Sequence, residues 1–212
     1  MGVPVIRFSN EHDAEGRPFL FRRYAPGTEL EMDLRDCIAV LKDGDYTVHM
    51  HPPGQTFVCP QEGDTYAVNC RDTDVNFGFR ELGSYTAANI AGRCFPLGFY
   101  GVMRVRCIHI NGLRGLMHRT PEATFSWLRK DGSGDHYISL LQCTLDELCY
   151  DLKGIVAELL GAEPEFHQLQ ARQAELESAL EAYLSRRMYA CGVYLWPGTL
   201  KIQGFTQAYA EG

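Results

Sequence analysis

Two histidines, His49 and His51, have the spacing in this chain that comes nearest to a chemical site. Within a β-strand, residues i and i+2 point to the same face, so both imidazoles could reach one metal ion. His109 is the third candidate ligand, in a strand-like segment that also carries Cys107. The same pattern fits two partly exposed strand histidines beside a turn, and we favour that interpretation. We therefore predict no catalytic residue, no cofactor and no metal, and keep the three histidines as alternative metal ligands.

The segment around the histidine pair comes close to the first metal-binding motif of the cupins. In that motif a glycine precedes His-x-His and a glutamate follows it. Here the spacing from Gly44 to His49 is one residue short, and Gln55 stands where the carboxylate is expected. No clear second motif follows Tyr100. A cupin-like metal-dependent enzyme that uses His49 and His51 is therefore an alternative function.

The eight cysteines form no metal or redox motif by spacing. None of them makes a C-x-x-C pair, which zinc ribbons and thioredoxin-like sites require. Most lie inside apolar runs, as Cys37 and Cys107 do, so we predict buried reduced thiols that act as small hydrophobic side chains. A ligand set of Cys59, Cys70 and His51 is less favoured, because zinc does not require that spacing.

The composition is that of an ordinary globular chain without a dominant phosphate-binding surface. The 212 residues carry a formal net charge of −7, whereas nucleic-acid-binding domains are typically basic, so we predict no nucleic-acid partner. We find no apolar run long enough to span a membrane and no signal-peptide pattern, and we expect a cytoplasmic protein. The eleven Tyr, eleven Phe and two Trp leave a small-ligand-binding barrel with a deep apolar pocket as a further alternative.

Residues 34–58 carry the strongest local signal of β-structure. Asp43-Gly44 between two extended segments predicts a hairpin, because a type I′ turn needs positive φ at both central residues. Pro53-Gly54 predicts a second turn before a short strand at 56–58. Strand-like segments separated by turn residues continue over the first two-thirds of the chain, which predicts an antiparallel sheet or a partly open barrel.

The segment 100–110 alternates between apolar residues and arginines. Met103, Val105 and Cys107 lie on one side of it, which predicts a half-buried strand. Asn111-Gly112 follows directly and predicts a hairpin into another strand at 113–117.

The last third of the chain has a helical pattern. Apolar residues recur at three- and four-residue steps between 144 and 159, and Gly161 ends that helix. A second helix is predicted from Pro164 to about Ala190, ended by Gly192. Its apolar seam is narrow, so we expect it either to lie on a sheet by one edge or to pack against another chain. Strands then return over 193–196 and 199–205.

The order of these segments resembles the SPFH or band-7 family, which includes stomatin, prohibitin and flotillin, and in particular its soluble virion-core-like bacterial branch. The segments that carry the resemblance are Phe19–Glu29, Arg35–Gly44, Pro53–Val58, Tyr66–Cys70, Asp74–Gly78, Met188–Leu195 and Leu200–Phe205. Arg35-Asp36-Cys37 replaces the family's Glu-Ser-Gln. The chain also departs from the membrane-bound members in lacking an N-terminal hydrophobic hairpin and a long coiled coil.

The resemblance implies an α+β fold, with an antiparallel sheet or partly open barrel and two helices packed on one face. It implies an SPFH-like β-rich part with the first helix at residues 1–161. Residues 162–212 would then add the second helix and a returning C-terminal strand of the same domain.

The resemblance also implies a non-enzymatic oligomerising scaffold that organises partner proteins at or near a membrane surface. We expect self-association, an unidentified protein partner and peripheral contact with the inner face of a membrane. The predicted oligomer interface is the seam of the second helix with the charged residues beside it. Its members are Leu169, Arg172, Glu175, Leu176, Leu180, Tyr183 and Arg186.

Overall fold

A computed structural model describes the chain over six ranges, which are residues 5–7, 18–31, 36–78, 97–125, 137–139 and 170–207. Short strands dominate these ranges. In chain order the strands are β1 (Val5–Arg7), β2 (Phe19–Tyr24), β3 (Glu29–Glu31), β4 (Asp36–Lys42), β5 (Asp45–His49), β6 (Thr56–Val58), β7 (Asp64–Asn69), β8 (Thr73–Gly78), β9 (Leu97–Cys107), β10 (Glu122–Thr124), β11 (Tyr137–Ser139), β12 (Val193–Leu195) and β13 (Lys201–Gln207). The helices within them are α1 (Ile110–Met117) and α2 (Gln173–Ala190).

The described strands form three sheets, and almost all of their pairings are antiparallel. The central sheet has six strands in the order β11-β10-β2-β7-β4-β5. A second sheet is built on the long strand β9, which pairs with β8 along one side and with β12 and β13 along the other. The third sheet is small, with the order β1-β3-β6. Parallel pairing occurs only at β1–β3 and β10–β11 among these strands.

The apolar run in β4 exists because both faces of the central sheet are covered. Cys37, Ala39 and Leu41 belong to the larger core, together with side chains of the β9 sheet and of both helices. Ile38, on the opposite face, packs in a smaller core that includes Leu30 of the three-stranded sheet. A strand buried on both sides has no need for polar alternation, which explains why this segment reads as a continuous apolar run.

Helix α1 corrects the hairpin predicted at Asn111-Gly112. Residues 110–117 are helical, and Leu113, Leu116 and Met117 are buried at the spacing of one helix face. Gly112 is required for a packing reason, because a Cβ there would lie 2.4 Å from the Gly192 nitrogen. The glycine is there because the backbones at residues 112 and 192 approach each other closely. The predicted hairpin turn at Asn111-Gly112 is therefore wrong.

Helix α2 begins at Gln173 within the described residues, and the predicted start at Pro164 lies outside them. Its end is as predicted. Gly192 has φ of +79°, and its N–H donates to the Tyr189 carbonyl at 2.9 Å, which is the left-handed C-terminal cap that glycine favours. The first predicted helix, over residues 144–161, lies outside the described residues.

The fold is therefore mixed α+β with mostly antiparallel sheets, and the described strands do not close into a barrel. Both described helices contribute side chains to the larger core. Among the described residues, no helix is long and apolar enough to cross a lipid bilayer.

Candidate functional site

The β4–β5 hairpin forms as its sequence predicts. Asp43 and Gly44 have φ of +52° and +85°, as a type I′ turn requires, and Lys42 pairs with Asp45 across it. The guanidinium of Arg114, on α1, donates to the Gly44 carbonyl and ties the turn to the helix.

Strand β5 is the edge of the central sheet within the described part of the chain. A two-residue turn closes on a hydrogen-bonded pair, here Lys42 and Asp45, and hydrogen-bonded and non-hydrogen-bonded pairs then alternate. Thr47 consequently bonds toward β4, whereas the amides and carbonyls of Tyr46 and Val48 point away from it. These outward groups form a template for pairing with another strand.

The edge also exposes apolar side chains. The side chain of Val48 is 43% exposed and that of Met50 is 72% exposed. Val58, on β6, is a third large apolar side chain at the surface, 57% exposed. Natural edge strands are usually protected by charge or proline, and here the charge is that of Asp45 at the turn end of β5, while the prolines follow the strand at positions 52 and 53.

An open groove of about 650 Å³ lies beside β5 on the side of β6. Its lining mixes apolar and charged side chains, so it is not the deep apolar pocket that a ligand-binding barrel would require. The residues that line it are Val40, Lys42, Asp43, Asp45, Thr47, His49, Phe57, Val58 and Pro60.

The two histidines that were kept as alternative metal ligands pack around the ring of Phe57. The ring centroid of His49 lies 5.4 Å from that of Phe57, and that of His51 lies 5.3 Å from it. His51 Nε2 is buried without a hydrogen-bond partner among the described residues. Their arrangement is that of an aromatic cluster at the end of a strand.

His109 does not join this pair in a metal-binding group. It occupies the N-cap position of α1, where its carbonyl accepts a hydrogen bond from the Gly112 N–H at 3.2 Å. The described residues contain no group of three His, Cys, Asp or Glu side chains that could hold a metal ion, and this also applies to Cys59, Cys70 and His51. The geometry of a cupin-like site is absent from this part of the chain.

The apolar part of the predicted oligomer interface is buried within the chain itself. Leu176, Leu180 and Tyr183 belong to the larger core, where α2 packs on β12 and β13. Of the two arrangements expected for this seam, the helix thus lies on the chain's own sheet, because the returning strands place that sheet under it. Leu169 lies outside the described residues.

The charged members of that predicted interface are held by local contacts on α2. Arg172 donates from Nε to Glu175 at 2.9 Å, and Arg186 donates from Nε to the Ala182 carbonyl at 3.3 Å. Both contacts lie within one turn of the helix, so they provide no evidence of a surface shaped for a partner.

A cluster of three thiols is the feature that sequence reasoning missed. Cys37 and Cys70 have their sulfur atoms 3.4 Å apart, and the neighbouring Cys107 thiol also lowers the pKa of Cys70. The three residues come from β4, the end of β7 and the end of β9. No spacing signal could have joined them, because strand pairing alone brings them together. The prediction that these cysteines are reduced agrees with the structure.

Comparison of the chain with protein-family models and with curated proteins finds no match.

Proposed function

We propose that this protein is a non-enzymatic scaffold that self-associates by pairing strand β5 with β5 of a second copy. The observation that carries the proposal is the edge of the central sheet, where the outward amides of Tyr46 and Val48 meet exposed apolar side chains. Scaffolds act by bringing copies and partners together, and an open strand edge is a general means of doing so.

The sequence of β5 is self-complementary when two copies pair antiparallel about Thr47. Tyr46 of one copy then stands opposite Val48 of the other, and both have outward amides, so each such pair forms two backbone hydrogen bonds. Thr47 faces Thr47 on the two-fold axis, and Asp45 faces His49. All three kinds of cross-strand pair are favourable: an aromatic residue with a β-branched one, two threonines, and an acid with an imidazole.

This pairing also fits the faces of the strand. Asp45, Thr47 and His49 lie on the side of the groove, so the second copy would extend that groove across the two-fold axis. The larger core remains untouched, because Leu176, Leu180 and Tyr183 stay inside each copy. We therefore move the proposed self-association surface from α2 to β5.

An SPFH-like arrangement, an additional protein partner and peripheral contact with the inner face of a membrane complete the proposal. The mixed α+β fold with antiparallel sheets is consistent with the first of these. Flotation with vesicles that contain anionic lipid tests the membrane contact, and protein that stays at the bottom of the gradient would argue against it.

Analytical ultracentrifugation of a proline variant tests the β5 interface. Val48→Pro removes an N–H that points away from β4, so the single chain keeps its ladder, and edge strands tolerate proline. The dimer loses two of four backbone hydrogen bonds, each worth about 1 kcal/mol, so Kd should rise about 30-fold. A wild-type chain that sediments as a monomer at tens of micromolar would overturn the proposal.

Thr47→Pro is the matched control. Thr47 bonds toward β4, opposite Val40, so proline there removes a hydrogen bond of the chain's own ladder. We expect a lower thermal midpoint for this variant and an unchanged midpoint for Val48→Pro. The reverse pattern would show that the outward direction of the Val48 amide is wrongly assigned.

A further inference from the structure

Three cysteine thiols meet between the central sheet and the β9 sheet. Cys37 and Cys107 are both buried in the larger core, and Cys70 is partly exposed and packs against it. The Cys70 sulfur lies 3.4 Å from that of Cys37, and Cys107 is the other thiol that acts on it. Ordinary buried cysteines act as isolated small hydrophobic side chains, so such a group needs a separate explanation.

The surroundings of Cys70 favour its thiolate. Hydrogen bonds from the Cys107 and Cys37 thiols lower the pKa of Cys70, and the guanidinium of Arg106 lowers it further against the cost of burial. Arg106 is held in place, with Nε donating to the Cys70 carbonyl at 3.2 Å and pairing with Asp72 at 3.3 Å. The thiolate is the nucleophilic form of cysteine.

The other two thiols have the opposite property. Hydrogen bonding to Cys70, followed by burial, raises the pKa of both Cys37 and Cys107. Each of them therefore remains protonated while Cys70 is a thiolate. One partly exposed nucleophile with buried thiols in contact is the arrangement of a cysteine that is oxidised and then resolved by a neighbour.

We propose that Cys70 is a hydroperoxide-reactive site and that Cys37 resolves its oxidised form as an intramolecular disulfide. The Cys70 thiolate attacks the terminal oxygen of a hydroperoxide, the O–O bond breaks, and the alkoxide or hydroxide that leaves takes up a proton. The sulfur becomes a sulfenic acid. Oxidation removes the negative charge of Cys70, one of the causes that kept Cys37 protonated. The Cys37 sulfur then loses its proton and attacks the Cys70 sulfur, the S–S bond forms as the S–O bond breaks, and the hydroxide that leaves takes up that proton as water.

The distance and the chemistry support Cys37 as the resolving residue. Its sulfur needs to approach by little more than 1 Å to reach the S–S bond length of about 2.05 Å. Cys107 is assigned a positioning role, as a donor to the Cys70 thiolate. The overall reaction converts two thiols and one hydroperoxide into a disulfide, an alcohol or water, and one further water.

The test treats the folded protein with hydrogen peroxide and follows disulfide formation by intact mass and peptide mapping. We expect a Cys37–Cys70 disulfide in the wild type. Cys37→Ser should instead accumulate a sulfenic acid that dimedone traps at Cys70. Cys59→Ser, in the smaller core, is the control and should oxidise as the wild type does. A mapped disulfide that omits Cys70, or no oxidation at that residue, would overturn the proposal.

A pH profile separates this role from a purely structural one. For an ordinary thiol the oxidation rate falls about tenfold for each pH unit below about 8.5, because the thiolate fraction falls. We expect the rate at Cys70 to change less than about threefold between pH 8 and pH 6. Cys107→Ala removes one donor to the Cys70 thiolate. The oxidation rate of this variant should therefore fall more steeply from pH 8 to pH 6 than that of the wild type. A tenfold fall per unit in the wild type would contradict the assignment of Cys70 as the nucleophile.

Discussion

Glu177 is the polar anchor of α2, and its replacement should destabilise the fold without affecting self-association. The residue is only 8% exposed. Its Oε1 accepts hydrogen bonds from the Ile202 N–H and from Gln173, both at 2.9 Å, and its Oε2 pairs with Lys201 at 3.1 Å. The carboxylate thus joins the first turns of α2 to strand β13.

The expected magnitude follows from what the substitution leaves unpaired. Glu177→Ala leaves the buried Ile202 N–H without an acceptor, which costs about 1–3 kcal/mol, and removes one hydrogen bond of Gln173, which also donates to the Ile202 carbonyl, at about 1 kcal/mol. Lys201 is mostly exposed, so its pair with Glu177 adds little. We expect a loss of about 2–4 kcal/mol. Glu177→Gln keeps an oxygen for Ile202 and should lose about 1 kcal/mol.

The contribution of Glu177 should depend on pH in one direction. Burial raises the pKa of Glu177, but hydrogen bonds from Gln173, the Ile202 N–H and Lys201 outweigh it and leave the pKa below its ordinary value. A carboxyl with a depressed pKa in the folded state stabilises fully above its unfolded pKa and loses that contribution as pH falls through the folded pKa. The difference in the free energy of unfolding between wild type and Glu177→Gln should therefore become smaller as the pH falls.

Urea unfolding followed by circular dichroism measures these free energies. Glu175→Ala is the control on the same helix, because Glu175 is exposed and its side chain pairs with the exposed Arg172. We expect no measurable change for it. Equal stability of Glu177→Ala and wild type, or a deficit of Glu177→Gln that grows in acid, would refute the reasoning.

Two further predictions concern the packing of α2. Leu180→Ala should lower the free energy of unfolding by about 2–5 kcal/mol in urea titrations, because Leu180 is fully buried, and dimer sedimentation at a temperature where the variant is folded should not change. Gly192→Ala should cost more than about 1 kcal/mol, because its φ is +79° and the added Cβ would lie 1.9 Å from the His109 carbonyl oxygen. Gly54→Ala, with φ of +75° and open space around it, should cost less, and equal costs would contradict the steric argument.

Local chemistry determined the elements that the sequence predicted correctly. Asp43-Gly44 sets its own turn, and Gly192 caps α2, because each depends on the backbone of a few neighbouring residues. The alternation of Met103, Val105 and Cys107 also survives in β9, since one face of that strand meets the core.

Tertiary contacts determined the elements that the sequence could not predict. Asn111-Gly112 has the signature of a turn, but three buried side chains and the close approach to Gly192 make the segment a helix. The sequence of α2 shows a narrow apolar seam but not what buries it. The sheet that covers this seam forms when β12 and β13 pair with β9.

The two candidate sites differ in the same way. The pair His49 and His51 could be recognised in the sequence because the two residues are only two positions apart. In the structure it forms an aromatic cluster with Phe57. The thiol cluster was invisible because Cys37 and Cys70 are joined only by the register of β4 on β7.

Residue-resolved hydrogen exchange over a range of protein concentrations tests the central claim most directly. In β5, the Thr47 and His49 amides bond toward β4 and should be protected at every concentration, whereas those of Tyr46 and Val48 point outward. We predict that protection of Tyr46 and Val48 rises with concentration and saturates as the dimer forms. Exchange at these two amides that stays fast while the protein associates would contradict β5 pairing.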